Sequence, residues 1–512
     1  MILNEVSAAQ QIGFPILSIL IFLPVVWAIL VSFIEDDHLA RRVAVAGASL
    51  ELLLAAIMTF NFNPGVSDIQ FGERIDWMPG TGVGYHVGVD GISVLFVPLT
   101  AFLTLMVMLS SWSSVRFRPK PYLIALFALE ATTIGIFTAL DLVLFFVFWE
   151  LILVPSYFLI RLWGIGPRRD YAALKYVMYM LAGSVPLLAG IVLLGVSAYD
   201  VQGTYSFDFP TLLTMAVPPE RQTLIFFLLV LGFAVKGPVF PFHTWLSTAL
   251  MEGPVGLSVM LVGLKLGIYG LLRFAIPLVP EAAQEWAWLM AVLGLIAILY
   301  GALIALVQPN LRRLLAFASV GHVGLALLGL FVLNVQGLQG ALLLMINLGI
   351  ATTGLLFLTG FLHARTGTSE LAAFGGVARQ IPRLATFYFI IGLAFIGVPG
   401  TSGFPGEFLI LLGAFRAHWA VAAIAVLGII LSAAFFLSSY ERVFFGPVTR
   451  GTVRSLQDLR PREAIIAVAM GVLVLWIGLA PNPLLTMTRG SVQAVVERIE
   501  QGSASQAVQH AD

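Results

Sequence analysis

The chain predicts an all-α polytopic membrane protein with about fourteen transmembrane helices, two of them broken. Three observations carry that expectation: the composition, the spacing of apolar runs, and the side on which basic residues fall between them. Of 512 residues, 59% are hydrophobic and 11% charged, and the mean hydropathy is +0.98. A soluble domain of this length does not need that much apolar surface. Cysteine is absent, which excludes disulfides, thiolate metal sites and cysteine-ligated iron–sulfur clusters in this chain. The formal net charge is zero, so nothing in the charge balance points to nucleic acid.

Apolar runs of about twenty residues, the length a helix needs to cross the hydrocarbon core, fall at 14–34, 39–60, 90–112, 119–139 and 141–162. They continue at 171–198, 221–241, 244–274, 285–307 and 311–333, and end with 338–362, 384–413, 419–440 and 463–483. The first run follows MILNEVSAAQQ, which lacks a basic n-region, and reads as a retained span. Two segments carry breakers. Pro238 and Pro241 interrupt the seventh run, and Pro399 and Pro405 interrupt the twelfth. The first pair is expected to free the carbonyls of Ala234 and Gly237, with hydrated pockets beside Lys236 and Glu407.

Arginines and lysines alternate between the connections. Arg41, Arg42, Arg116, Arg118, Lys120, Arg168 and Arg169 fall in the first, third and fifth. Arg312, Arg313, Arg365, Arg379, Arg383, Arg450, Arg454 and Arg460 fall in the ninth, eleventh and thirteenth. The intervening loops hold few, and Arg273 reads as lying at a span end. The positive-inside rule then places odd connections in the cytoplasm and both termini outside. The longest polar connections, 61–89 and 198–221, are too short for a soluble domain, and the tail after Pro483 reads as an external surface segment.

The charges that remain lie within the spans. Lys175, Lys236, Lys265, Glu130, Glu150 and Glu407 fall inside them, and Glu252 falls near an end. Each costs ~2.5–3.5 kcal/mol at a helix centre, on the order of 15–20 kcal/mol for the six. Lysine and glutamate can exchange protons when buried, whereas a guanidinium stays charged. An interior holding the former and kept clear of the latter suits proton transfer. Any single pair also has a plain structural reading. Lys175 lies close to Arg168 and Arg169, where snorkelling toward the cytoplasm is the other reading. Glu130 reads equally as a packing residue, and His322 as a satisfied core histidine. From Glu150 to Lys236 is 86 residues and from His322 to Glu407 is 85. Each interval ends on a broken span, in opposite orientations, the pattern of an inverted repeat.

At these residues the sequence resembles the antiporter-like subunits of respiratory complex I (NADH:quinone oxidoreductase), in the M branch that includes mitochondrial subunit 4. The stretches that carry the resemblance include HVGVDGIS (86–93), LDLVLFFVFWELILVPSYFLI (140–160) and RRDYAALKYVMYMLAGSVPLL (168–188). VKGPVFPFHTWL (235–246), GLKLGIYGLLRF (263–274), LRRLLAFASVGHVG (311–324) and GVPGTSGFPGEFLILLGAF (397–415) complete it. Glu407, where the L and N paralogues resemble each other in carrying lysine, favours the M branch, as does the lack of a long lateral-helix extension. The chain departs from the family at STALMEGPVG, where Thr248 and Leu250 lack the usual polar groups, and at Arg312–Arg313.

The resemblance implies two inverted five-helix repeats, each a proton half-channel. It divides the chain into residues 1–118, a first repeat at 119–276, a second at 277–440, and 441–512. It implies that Glu150 pairs with Lys236, that Lys265 joins the halves, and that His322 and Glu407 carry the proton outward, with Glu130 and Lys175 as further members. The function implied is proton translocation in the membrane arm of an NADH:quinone oxidoreductase. This chain would be a non-redox subunit with no cofactor of its own, while NADH, FMN, iron–sulfur clusters and quinone sit in partner subunits. Its neighbours would be L-like and N-like subunits and lipid, in a bacterial inner membrane. The alternatives are a related complex with another electron donor or a carbon dioxide hydration role, and a multi-subunit cation/proton antiporter.

Overall fold

The structure, a computed structural model, describes residues 4–78, 80–448 and 451–509; Arg450 lies outside them. The described chain is a helical bundle with a small sheet at one face. Among the described residues, twelve helices are long and apolar enough to cross a membrane. The longer helices are numbered in chain order: α1 Ile16–Phe33, α2 Asp37–Phe60, α3 Phe96–Ser114, α4 Pro119–Thr138, α5 Leu142–Leu151, α6 Leu153–Trp163 and α7 Arg169–Gln202. Then come α8 Pro219–Lys236, α9 Thr244–Glu252, α10 Val255–Gly263, α11 Leu266–Gly270, α12 Ala287–Leu306, α13 Leu311–Phe331 and α14 Val335–Asn347. The last are α15 Thr353–Thr366, α16 Pro382–Phe395, α17 Gly403–Ala417, α18 Trp419–Phe444, α19 Pro461–Leu479 and α20 Asn482–Gln509.

Local chemistry explains the boundaries. Asp36, Asp141, Asn310 and Asn334 cap α2, α5, α13 and α14 by accepting backbone N–H groups, satisfying donors that a helix start leaves open. Proline lies in the first turn of α4, α8, α16 and α19, where its missing N–H costs nothing. The outer helices bury one face and leave large apolar side chains such as Val185 and Leu479 exposed, as lipid contact requires. By contrast α13 is buried almost all round, so the polar atoms it carries are out of solvent.

The segment 61–89, expected as a plain polar connection, folds instead. Strand β2 (Ile69–Met78) pairs antiparallel with β3 (Val83–Val89), and β1 (Glu5–Ser7) joins β2 in parallel. The alternation that marks a hairpin is masked here by glycines at 72, 84 and 88. The tail is a helix whose one face, including Leu484, Val492 and Ile499, is buried. It runs against α14 and the segment 276–285, and its Ser491 hydroxyl accepts the Gly91 amide at 2.9 Å.

Several expected boundaries shift. The apolar run at 244–274 is not one span: α9 ends at Glu252, and Gly253–Pro254 separates it from α10, because proline disfavours helix in the residue before it. The same run stops again at Leu264–Lys265 before α11 resumes, with a π turn at Leu271–Ala275. The interior is not clear of guanidinium either. Arg273, expected at a span end, is 2% exposed and paired with Asp90 at 2.5 Å. Arg312 is equally buried and donates to the carbonyls of Met251 and Gly253.

Candidate functional site

The two breaks share one backbone bond and differ in a second. After α16, Val398 N–H donates to Leu393 C=O and Gly397 N–H to Ala394 C=O, with Gly397 left-handed at φ 70°; this is a Schellman ending. After α8, Val239 N–H donates likewise to Ala234 C=O at 2.9 Å, so Ala234 is not freed as expected. Pro238 cannot supply the second bond. The carbonyl left open is that of Val235, which accepts the Trp245 indole N–H at 2.9 Å. Pro238, Pro241 and Pro399 lie between helices, whereas Pro405 lies in the first turn of α17, where its missing donor is one the helix would not use.

Lys236 is the last residue of α8. Its Nζ donates to Trp149 C=O at 2.6 Å and lies 3.7 Å from the centroid of the Trp149 ring. Glu150, next in sequence, accepts a short hydrogen bond from the Ser184 hydroxyl and exerts a Coulombic pull on Lys236. No ion pair within 4 Å joins them, so the pair is open. A cavity of about 20 Å³ adjoins Lys236, lined mainly by apolar side chains with Thr133 and Tyr176. That is room for about one water beside Lys236, where a hydrated pocket was expected.

Beyond that cavity the helix carrying Lys265 is interrupted, so its side chain leaves from non-helical backbone at φ −83°, ψ 60°. A Cβ on Gly267 would fall 2.1 Å from Phe233 C=O; glycine there lets this break pack on the break after α8. Lys265 is 2% exposed, and its Nζ donates to the Ser319 hydroxyl at 2.8 Å. One turn along α13 is His322, whose Nδ1 and Nε2 each lie 2.9 Å from a carbonyl, of Ala318 and Phe395. A neutral imidazole has one N–H, so both contacts are hydrogen bonds only when the ring carries two protons. Glu407, on α17, stands 3.8 Å from His322 Nε2. A Cβ at position 397 would fall 2.0 Å from its Oε2. Glycine is thus required twice at that position, for φ and for the carboxylate.

The remaining expected members lie elsewhere. Lys175 stays on the face of its own helix between Tyr171 and Tyr179. It donates to Thr244 C=O and the Thr248 hydroxyl, both at 3.0 Å, and so ties α7 to α9. Glu252 accepts the Arg168 amide at 2.7 Å and fixes a connection. Glu130 is fully buried on α4 among the N-terminal helices, facing Glu51 of α2; all four carboxylate oxygens lack a hydrogen-bond partner. Sequence reading passed over Glu51 because Glu51 lies beside polar Ser49 in an otherwise ordinary apolar run. It also passed over Ser184, Ser319, Asn347 and Ser402. The last two bond each other at 2.6 Å beside a π turn at Leu348–Thr352. Small polar residues have no periodic signature in a span; a serine one turn from a histidine was the available signal.

Against known proteins, a family model described as NADH:quinone oxidoreductase/Mrp antiporter, TM, matches residues 139–432. The NADH-quinone oxidoreductase subunit M of Rickettsia prowazekii is 38% identical over 488 residues, 94% of this chain and 98% of that protein. The NADH-ubiquinone oxidoreductase chain 4 of Arabidopsis thaliana is 37% identical over 485 residues, 94% of this chain and 97% of that one. Among solved structures, a chain of respiratory complex I from Thermus thermophilus with bound NADH superposes with a TM-score of 0.86 at 33% identity. The match covers 94% of this chain and 99% of that one.

Proposed function

Since the chain belongs to the subunit M family of antiporter-like proteins in NADH:quinone oxidoreductase, we propose that it moves protons through the membrane arm along its buried lysines, glutamates and histidine. The observation that supports this reading is a set of buried titratable groups at or beside broken backbone: Lys236 on the Trp149 carbonyl next to Glu150, Lys265 on Ser319, and His322 3.8 Å from Glu407. Electron carriers and quinone belong to partner subunits, and this chain contributes no redox step. Residues 119–276 and 277–440 act as the two half-channels, facing L-like and N-like neighbours. The basic residues of the odd connections support placing those connections on the cytoplasmic side of a bacterial inner membrane and both termini opposite.

In the first half-channel, Lys236 is held by a neutral carbonyl and a ring face rather than by the Glu150 carboxylate. A Glu150–Lys236 pair at 4 Å has ~4 kcal/mol of attraction in total at an effective dielectric of 20, and approach adds the part of it not already felt at the present separation. A proton crossing 100 mV needs ~2.3 kcal/mol. Opening and closing this pair therefore has the right scale to load and unload the lysine. From Lys236 a proton passes by the small cavity to Lys265, whose acceptor Ser319 leads to His322. His322 has Glu407 beside it as the next acceptor toward the exit.

The test is proton uptake by vesicles containing the assembled complex, driven by NADH oxidation. Arginine keeps the charge at 236 but does not release a proton. Lys236→Arg should assemble and fail to pump, and Glu150→Gln should do the same. Glu407→Lys should pump better than Glu407→Ala, since it keeps a protonatable group. Pumping at the wild-type level by assembled Lys236→Arg would make that lysine a structural counter-ion and refute the reading.

A further inference from the structure

At the face where the odd-numbered connections meet, a cavity of about 800 Å³ opens between the ends of α3, α6, α15, α10 and α19. None of the residues of the proton path lines it. Its polar wall holds four arginines, Arg116, Arg169, Arg365 and Arg460, with a single acid, Glu463. Arg365 is committed to Glu463 in a short ion pair. Among the described residues, no carboxylate lies within 4 Å of the other three guanidiniums. The rest of the wall is mixed: Ser110, Ser111, Ser113, Ser114 and His363 add neutral polar groups, and an apolar part includes Phe117, 59% exposed, and Ile165, 46% exposed. The cavity thus joins unneutralised positive charge, at the level of the helix ends, to an apolar surface that continues onto the outside of the bundle.

We propose that this cavity binds the phosphate-bearing headgroup of an anionic phospholipid, with Arg116, Arg169 and Arg460 on the phosphate and the acyl chains along Phe117 and Ile165. Guanidinium matches phosphate geometry by paired N–H donors, and basic pockets between transmembrane helices are suited to acidic headgroups. A free phosphate would use the arginines alone and leave the apolar wall without a role. A lipid uses both. The volume is ample for a headgroup and is in the range of small-molecule sites.

The experiment uses the assembled complex in phosphatidylcholine vesicles doped with a photoactivatable phosphatidylglycerol or, separately, a photoactivatable phosphatidylcholine. Labelled peptides of this chain are then mapped. The phosphatidylglycerol probe should label 110–117 and 162–169 in the wild type, and the phosphatidylcholine probe should not. Arg116→Gln, Arg169→Gln and Arg460→Gln together should lower that labelling roughly 100-fold, while the triple lysine variant retains most of it and controls for folding. Equal labelling by both probes would mean ordinary boundary lipid and overturn the proposal. So would labelling that survives the triple glutamine variant. Loss of labelling in excess inorganic phosphate would assign the site to free phosphate. A wild-type complex with no labelling there would mean that a neighbouring subunit covers the cavity, and the lipid assignment would fall.

Discussion

Lys236 and Trp149 are joined twice, by a hydrogen bond from the ammonium to the tryptophan's own carbonyl and by the ammonium lying over its ring. The carbonyl is available because α5 ends two residues later, at Leu151, and Pro155 follows in the next turn. A desolvated cation–ring contact is worth ~2 kcal/mol. Trp149→Leu removes the ring and keeps the carbonyl. The complex is expected to assemble and to pump severalfold more slowly, with Trp149→Phe between it and the wild type. Proton uptake per NADH oxidised checks this, and equal rates for all three would remove the ring from the mechanism.

Gly397→Ala should be among the more damaging small substitutions in the chain. It places an L side chain at φ 70° and a methyl against the Glu407 carboxylate. The backbone cost alone is about 1–2 kcal/mol. The double variant Gly397→Ala/Glu407→Ala should regain the steric part and keep the backbone part. Thermal midpoints of the purified complex would measure both, and a double variant no better than the single one would assign the whole effect to φ.

His86 gives the small sheet a pH dependence. Burial by itself would lower its pKa, but hydrogen bonds to Asp208 and Glu5 outweigh that and raise it to about 9. Glu5 is lowered by its hydrogen bond to His86; for Asp208 burial pushes up, and His86 outweighs it. The histidine's contribution is complete below 6.5 and is lost as pH rises through about 9. The acids' contributions are present above their ordinary values near 4 and lost as pH falls. The clasp between β1, β3 and the 198–221 connection should therefore hold best between about pH 5 and 6.5. Hydrogen exchange at Ile69 and Leu140 amides should accelerate from pH 7 to 10 beyond the intrinsic rate, and His86→Gln should flatten that excess.

Glu51 and Glu130 make a separate case. Two buried carboxyls without hydrogen-bond partners repel when both are charged, and removing such groups is often neutral or stabilising. Glu51→Leu should raise the thermal midpoint of the complex, by the equivalent of about 1–3 kcal/mol. A fall of that size would show that the carboxyl holds a partner essential to packing.

Much of this was legible in the sequence, for reasons that differ by residue. Pro238 and Pro399 marked breaks because a missing donor acts locally, whatever the tertiary context. The charged members stood out because charge is expensive in an apolar run. The Lys265 break was not legible, since no proline causes it. It is imposed by Gly267 packing on Phe233 and Gly237 from another helix, a tertiary cause. Pro405 misled because proline reads the same just before and just inside a helix start. The hairpin at 69–89 escaped notice because its buried and exposed positions do not alternate cleanly.

The C-terminal helix has a mechanical consequence. At 28 residues it is roughly 42 Å long, and it is fastened at several places along its length. Ser491 holds Gly91 at the head of α3; Ile499 C=O accepts the Gln284 side chain, and Leu485 C=O that of Gln339 on α14. Arg498 also donates to Met215 C=O, so the helix is a splint laid at one face across segments far apart in the sequence. Large relative motion of those segments would have to shear these fastenings, and Gly490 packs so closely on Val66 that an added Cβ would fall 2.6 Å from its backbone. On the proposed proton path, exchange with the buried charges would then have to run through side-chain rotations and local shifts at the helix breaks, with the fastened segments remaining in register.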